Sequence, residues 1–526
     1  MRALSVHGAR VALLAAALSS SAGRASAQPA PQAPAEAPAP PPDDAKVAPP
    51  PGATKSEPSP VAEIKSAPEA PLVAQPPTEA PRPLTGFSFG SYGRMIAATD
   101  FKGRPGRDAD IVAHGSRLDE GNYVELELRR DDYWAITKTS TRVVATLAVG
   151  TPLFHYTGQF DVKLAVRNLY LEARNLGGTK LSAWAGSRMY RGDDIYLLDW
   201  WPLDNLNTVG GGARYDLGPD TYAALHFGTN QPPNDFFVQQ ASRPAPLGQI
   251  GAAAISVLNR QKLIGSLKLS HIIRIGETGG VKGVLYGELH QLPEGQRESK
   301  PQMFETLPGD LGGVVGAQIG AFTGKRDTHL NLFVRYARGL AAYGELATPT
   351  QLAQDKTTSG AHEFLVALGG NFEAGPFGLM LGGYARSFRN ASAGLDFDDV
   401  DEAIVALRPH LFFGELGGLA VEGSFQTQQR GVLAPPSAAM TTPGTTPQPA
   451  GPLAASVFRF GVIPFLSVAG RGDYSRPQLR LIYVVSARNE GAKALYPQDD
   501  VFHIHNIEHF FGFGAEWWFN SSSYGG

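Results

Sequence analysis

Four stretches of this chain set an aromatic ring and an ionisable group two residues apart. These are Tyr92 with Arg94, Tyr123 with Glu125, Tyr286 with Glu288 and His290, and Trp518 with Glu516. In an extended strand, residues two apart point to the same side. Each pair therefore offers a flat apolar ring beside a strong hydrogen-bonding group. A sugar suits such a pair: its C–H face stacks on the ring, and its rim of hydroxyls bonds the charged group. Several weak sites in a row would let a ligand both enter and leave, as permeation requires. The plainer alternative is that these rings are girdle or loop-packing aromatics, and periodicity alone leaves both open.

Other constellations point to less. His503, His505 and His509 could share a face before the last strand, but no carboxylate completes a metal set. Asp193-Asp194 and Asp398-Asp399 could suggest glycosidase pairs or loop calcium, and they read more simply as loop acids. Gly320 to Lys325 lacks P-loop spacing. With no Cys among 526 residues, disulfides, thiolate catalysis and cysteine metal sites are excluded. No catalytic residue, cofactor or metal is assigned.

The elements that must position the pairs are strands. From Phe511 to Phe519 the odd positions are all apolar, while the even ones carry two glycines, then Glu516 and Trp518. Tyr123–Arg129 alternates in the same way, with Tyr, Glu, Glu and Arg facing Val, Leu and Leu. A charged face opposed to an aliphatic one suits a lumen and lipid. Further alternating stretches are Gln261–Ile272, Val281–Leu292, His329–Arg338, Phe377–Phe388, Gly417–Gln428 and Gln478–Arg488. About 18 such segments fill the region from Gly86 onward, separated alternately by tight turns (Glu373–Pro376) and long loops (Gln429–Pro452), the pattern of membrane strands. No fixed repeat points instead to a propeller. No apolar run of about 18 residues suggests a membrane helix, and a formal net charge of −3 gives no reason to invoke nucleic acid.

The N-terminal part is a different material. Arg2 and Arg10, an apolar run from Val11 to Leu18, and Ala25-Ser26-Ala27 predict a cleaved signal peptide over residues 1–27. Residues 28–83 hold 18 of the 41 prolines and no aromatic residue. Such a segment cannot bury enough apolar surface to fold, so a disordered Pro/Ala-rich periplasmic linker is expected. It reads as a passive tether or as a spacer that touches peptidoglycan. Residues 84–526 are the expected outer-membrane β-barrel.

Across Phe87–Phe519 the chain resembles the maltoporin (sugar porin) family. Phe89-Gly90-Ser91-Tyr92-Gly93-Arg94 is similar to the family's opening aromatic–x–Gly-Tyr-Ala-Arg pattern. Trp184-Ala185-Gly186-Ser187-Arg188-Met189-Tyr190, running on to Asp199-Trp200-Trp201 and Asp204, resembles the segment leading into the family's constriction loop. Arg408-Pro409, Gly423-Ser424-Phe425, Ser475-Arg476-Pro477 with Arg480, and Glu516-Trp517-Trp518-Phe519 come in the family's order.

The resemblance implies an all-β, 18-stranded antiparallel transmembrane β-barrel (porin) that assembles as a homotrimer in outer-membrane lipid. Its implied function is passive, substrate-selective passage of sugars, oligosaccharides of the maltodextrin type. Tyr92, Tyr123, Tyr286 and Trp518 fall where the family places its stacking aromatics, and Trp201 matches a constriction tyrosine. Arg94, Arg117, Glu125, Arg167, Asp194 and Asp199 fall on positions that bond sugar hydroxyls. There are departures. One constriction arginine aligns with Gly192, beside Arg191, and one stacking tryptophan aligns near Glu402 or Ala403. The aromatic lent by a neighbouring subunit would be Tyr156 or Phe160. Arg167 shares its parity with Leu169 and Leu171, which predicts a loop position or one above the bilayer. Asn520 to Gly526 extend past the terminal aromatic without explanation. The alternatives are a porin of low selectivity or for another small solute, and a wall-anchored structural barrel.

Overall fold

The computed structural model describes residues 85–119, 121–151, 153–244, 250–324, 328–394, 396–431 and 453–521. The expected leader and linker lie outside them. Strands form where apolar and polar residues alternate, because only that period gives one face to lipid and the other to the lumen. In chain order they are β1 (Gly86–Thr99), β2 (Tyr123–Trp134), β3 (Thr139–Gly150), β4 (Lys163–Arg174), β5 (Leu181–Arg191) and β6 (Asn205–Gly218). Next come β7 (Thr221–Asn230), β8 (Lys262–Ile275), β9 (Gly279–Leu292), β10 (Asp310–Thr323), β11 (Thr328–Gly339) and β12 (His362–Ala374). The series ends with β13 (Phe377–Arg389), β14 (Val400–Phe412), β15 (Gly417–Arg430), β16 (Leu453–Ser467), β17 (Gln478–Arg488) and β18 (Ile507–Phe519).

Together they make one 18-stranded antiparallel sheet, and two short hairpins, Val238–Pro244 with Ala252–Asn259 and Gly295–Lys300 with Met303–Leu307, stand outside it. It closes where β1 pairs β18, from Ser91↔Phe519 to Thr99↔Phe511. At that seam the Trp517 indole lies across Gly93, where an added Cβ would sit 2.2 Å from the ring. Its Nε1–H donates to Ser91 Oγ at 3.1 Å, and Ser91 in turn donates to the Glu125 carbonyl on β2 at 2.8 Å. Three strands are thus stitched together on the lipid side.

Leucine, valine and isoleucine cover the middle of the outer face. Exposed aromatics gather at its edges. Phe87, Trp134, Tyr215, Phe372, Phe377 and Phe519 stand near the short-turn end, and Phe101, Phe227, Phe364 and Phe511 near the long-loop end. Two such girdles mark the lipid–water boundaries of a membrane barrel. Turns such as Gly375-Pro376, with Gly375 at φ +57°, belong to the periplasmic end.

The lumen is partly filled. The long segments 100–122 and 192–204 fold inward, and their Ile111, Val112, Ile195, Leu197, Leu198 and Leu203 share a buried cluster with strand residues. Most of those strand residues, including Phe333, Leu365, Met380, Tyr384, Ile404 and Val457, come from the wall of β11–β16, and Val284 and Tyr286 come from β9. On the β11–β16 wall apolar patches interrupt an inward face that still carries Glu363, Arg386, Glu402, Gln426 and Arg459. His114 of the first segment stacks on Trp200 of the second, centroids 4.6 Å apart.

Two details differ from the sequence reading or complete it. Arg167 lies within β4 and not in a loop. The register against β3 shifts between Thr146↔Asn168 and Leu147↔Val166, leaving Arg167 as the extra residue of a β-bulge. A bulge reverses the parity of the residues beyond it, so Arg167 faces inward while Leu169 and Leu171 still face lipid. At the other end, Asn520 at φ +47° turns the chain inward past Phe519. Its carbonyl lies 2.1 Å from where a Cβ on Gly90 would be, and Ser521 is buried. Residues 522–526 lie outside the described residues.

The seam gives a test. Gly93→Val forces Trp517 off β1 and lowers the unfolding free energy of the reconstituted barrel in urea by about 1–3 kcal/mol. Gly423→Val, with nothing within 4 Å of the new Cβ, leaves it unchanged.

Candidate functional site

Inward parity on β1, β2 and β18, together with the two inward-folded segments, builds one polar–aromatic network. Tyr92 on β1 sits opposite Glu125 on one side and Trp518 on the other. Its hydroxyl accepts from Arg94 Nη1 at 2.9 Å and from Arg117 Nη2 at 2.5 Å. Arg94 also pairs with Asp199 at 3.3 Å, and its guanidinium lies 5.5 Å from the centre of the Tyr123 ring. The Tyr123 hydroxyl donates to Glu125 at 2.5 Å, and Glu125 pairs with Arg167 at 3.4 Å. The rings of Tyr92 and Tyr123 are 6.0 Å apart. Most residues singled out in the sequence therefore meet in one place, with Tyr92 itself only 1% exposed.

Glu516, paired with Trp518 in the sequence, is the hub of the network, a role its spacing did not announce. It accepts from Arg117 at 3.1 Å, Arg476 Nε at 2.8 Å and the Tyr196 hydroxyl at 2.9 Å, and pairs with Arg480 at 2.5 Å. Charge-assisted bonds to several donors make one buried carboxylate an effective tie between wall and loop. Arg476 also lies over the Trp518 ring at 4.5 Å, and Tyr196 meets Trp518 edge-on at 6.0 Å. The signal was available: Glu516 shares the inward face with Trp518, and Arg476 and Arg480 stand in a quoted motif.

The remaining residues are placed separately. Asp194, in the inward-folded loop, is pushed up to about 6 by burial and by neighbouring Asp199, against the pull of Arg117. Beside it, burial opposes ionisation of Asp193, yet Lys282 at 2.6 Å holds its carboxyl below the usual range. Burial and the cations Arg386 and Arg335 push His114 well below the ordinary histidine range, so it is neutral at pH 7. Trp201 is buried beneath Arg191, whose guanidinium stacks 3.9 Å from the ring centre. Tyr286 is 5% exposed, donates to Glu288 at 2.6 Å and belongs to the apolar cluster that packs the loops. Glu402, where a stacking ring was missing, pairs with Arg386 at 3.1 Å.

The other constellations resolve as local structure. His503 Nδ1 lies 3.0 Å from the Lys493 carbonyl, whereas His509 stacks on Tyr483. Asp399 accepts from the Asn390 backbone N–H at 2.7 Å. Asp108, Asp110 and Asp119 converge with Arg459 among them.

Below the network lies a cavity of about 930 Å³, lined by Trp201, Trp518, Tyr170, Trp184, Arg188 and Arg191 among others, reaching Asn520 and Ser521 at the periplasmic end. It runs along the β2–β8 wall, opposite the wall packed by the loops.

The family model described as LamB porin matches residues 87–519. No curated protein matches the chain. Among solved structures, OmpT of Vibrio cholerae in its trimer form is similar at 11% identity and TM-score 0.37, covering 82% of this chain and 99% of that one. OccAB1 of Acinetobacter baumannii matches at 9% identity and TM-score 0.38, over 82% and 96%. Wzi of Escherichia coli, described as a carbohydrate-binding β-barrel, matches at 9% and 0.37, over 81% and 83%. With a closed 18-stranded barrel, two aromatic girdles and a family match over nearly all of it, the chain is an outer-membrane porin and belongs to the LamB porin family.

Proposed function

We propose that this passive channel is selective for saccharides of the maltodextrin type. The observation that carries the reading is the juxtaposition of Tyr123 and Trp518, on the strands either side of buried Tyr92, with Arg94, Arg117, Glu125 and Asp199. Rings on one wall and charged donors and acceptors beside them match the two chemical faces of a sugar. Arg167, Asp194 and Trp201 extend the same polar and aromatic edge. The protein works as a homotrimer, with the exposed Tyr156 and Phe160 of the 151–162 loop offered to a neighbouring copy. A signal peptide, residues 1–27, directs export, and residues 28–83 tether or space the barrel at the peptidoglycan.

A second reading is a porin of low selectivity. It is favoured by Tyr286, which is packed away from the cavity, and by Arg191 covering the Trp201 ring.

Planar-bilayer recordings separate the two. Maltodextrins are expected to block ion current saturably, and Trp518→Ala to weaken the block by about 0.5–1.5 kcal/mol, roughly two- to twelvefold. Permeation ordered by solute size alone, indifferent to Trp518, would establish the unselective channel.

Asp194 gives a pH test. Its carboxyl, at about 6, is mostly ionised at pH 7 and mostly neutral at pH 5. Acidification therefore removes a negative charge beside Arg117, and the zero-current potential in a KCl gradient should move toward chloride between pH 7 and 5. Asp194→Asn has that shift already at pH 7 and loses its own part of the step near 6. Asp119, at about 6, and Glu345, at about 7, titrate in the same window and leave a residual slope in the variant.

A further inference from the structure

The cavity below the network has an uneven wall. Seven Lys and Arg side chains line it, against two carboxylates, Glu172 and Asp216. Part of the balancing charge stands behind the cations. Glu127, partner of Arg129, is 1% exposed, and Asp204, partner of Lys268, is likewise 1% exposed. Neither lines the cavity. Those acids neutralise the wall while leaving guanidinium and ammonium groups between themselves and the lumen.

The cations are also held in place. Arg174 and Arg188 share a single carboxylate, Glu172, at 2.7 Å (Arg174 Nε) and 3.2 Å. Arg188 lies 4.6 Å from the centre of the Tyr170 ring and 5.2 Å from that of Trp184. Trp184, Tyr190 and His226 form a near-parallel stack, with interplanar angles of 13–20°. Aromatic faces hold a guanidinium in a fixed plane through cation–π attraction, which lowers the entropy lost when it binds an anion. From the Arg191–Trp201 stack at the constriction to Arg174 and Arg214 near the periplasmic turns, the positive groups descend one wall of the passage. Low-dielectric walls lined by one sign of charge focus the field on the passing solute.

Resting on the sugar reading above, we propose that this wall is a binding and exit track for anionic saccharides, sugars carrying a carboxylate or a phosphate. The rings near the constriction take the apolar face of the sugar. The arginines below take its charged group by paired N–H···O bonds, the geometry for which guanidinium is suited.

The test uses the full-length channel in planar bilayers, with trigalacturonate, glucose 6-phosphate and maltotriose as probes. At 0.1 M KCl, chloride is expected to be more permeant than potassium. At least one of the anionic sugars is expected to block at concentrations about tenfold lower than maltotriose, the advantage shrinking at 1 M salt as screening grows. Arg174→Gln with Arg188→Gln should remove most of that advantage while maltotriose block remains. The better exposed Arg214→Gln reduces it in part and serves if the double variant fails to assemble. Block by the uronate alone assigns a carboxylate ligand, and block by the phosphate alone a phosphate ligand. Equal block by charged and neutral sugars, or preference for potassium, overturns the anionic track but leaves the sugar channel standing. If no sugar of either kind blocks, the sugar reading fails with it.

Discussion

A sheet that crosses a bilayer must close on itself, because lipid offers nothing to a free backbone N–H or C=O. Here closure depends on the pairing of the first strand with the last, Ser91 to Thr99 against Phe519 to Phe511. That pairing fixes which residues of the first and last strands face the lumen. It also puts Tyr92 and Trp518 side by side, though they are far apart in sequence. The functional network is therefore a product of the seam: its stacking rings come from the two strands that close the barrel and the one beside them.

The second constraint is to hold loops inside a water-filled barrel. Apolar side chains do this on one wall, where the loop residues Ile195, Leu197 and Ile111 meet Leu365, Ile404 and Val457. Charged groups do it on the other, where Glu516 gathers Arg117, Arg476, Arg480 and Tyr196. With the loops held in this way, the passage is left along the β2–β8 wall. Solute chemistry is then decided by that wall and by the loop edge facing it.

Much of this was legible in the sequence. Alternation gave the strands, their two faces and the tyrosine–charge pairs, because period two is enforced residue by residue by the backbone. Arg167 was misplaced because a single extra residue in a strand reverses parity and leaves no compositional trace. Tyr92 and Tyr286 looked equivalent to Tyr123, since all three face inward beside a charged group. Inward-folded segments cover the first two, Tyr92 under Arg117 and Tyr286 in the apolar cluster. The same cause hid the apolar patches set among the polar inward residues of β11–β16, because alternation does not say which inward side chains a distant loop covers. Glu516 was visible as an inward residue, but its partners lie on a turn, a loop and another strand, and their convergence is tertiary.

The first two residues past the last strand have a place in the structure. Asn520 turns the backbone in over Gly90, and Ser521 joins the cavity lining. Asn520 and Ser521 thus stand at the inner rim through which solute passes to the periplasm. They act as a sill at the exit, so a bulkier or charged side chain at either position would meet the cargo directly.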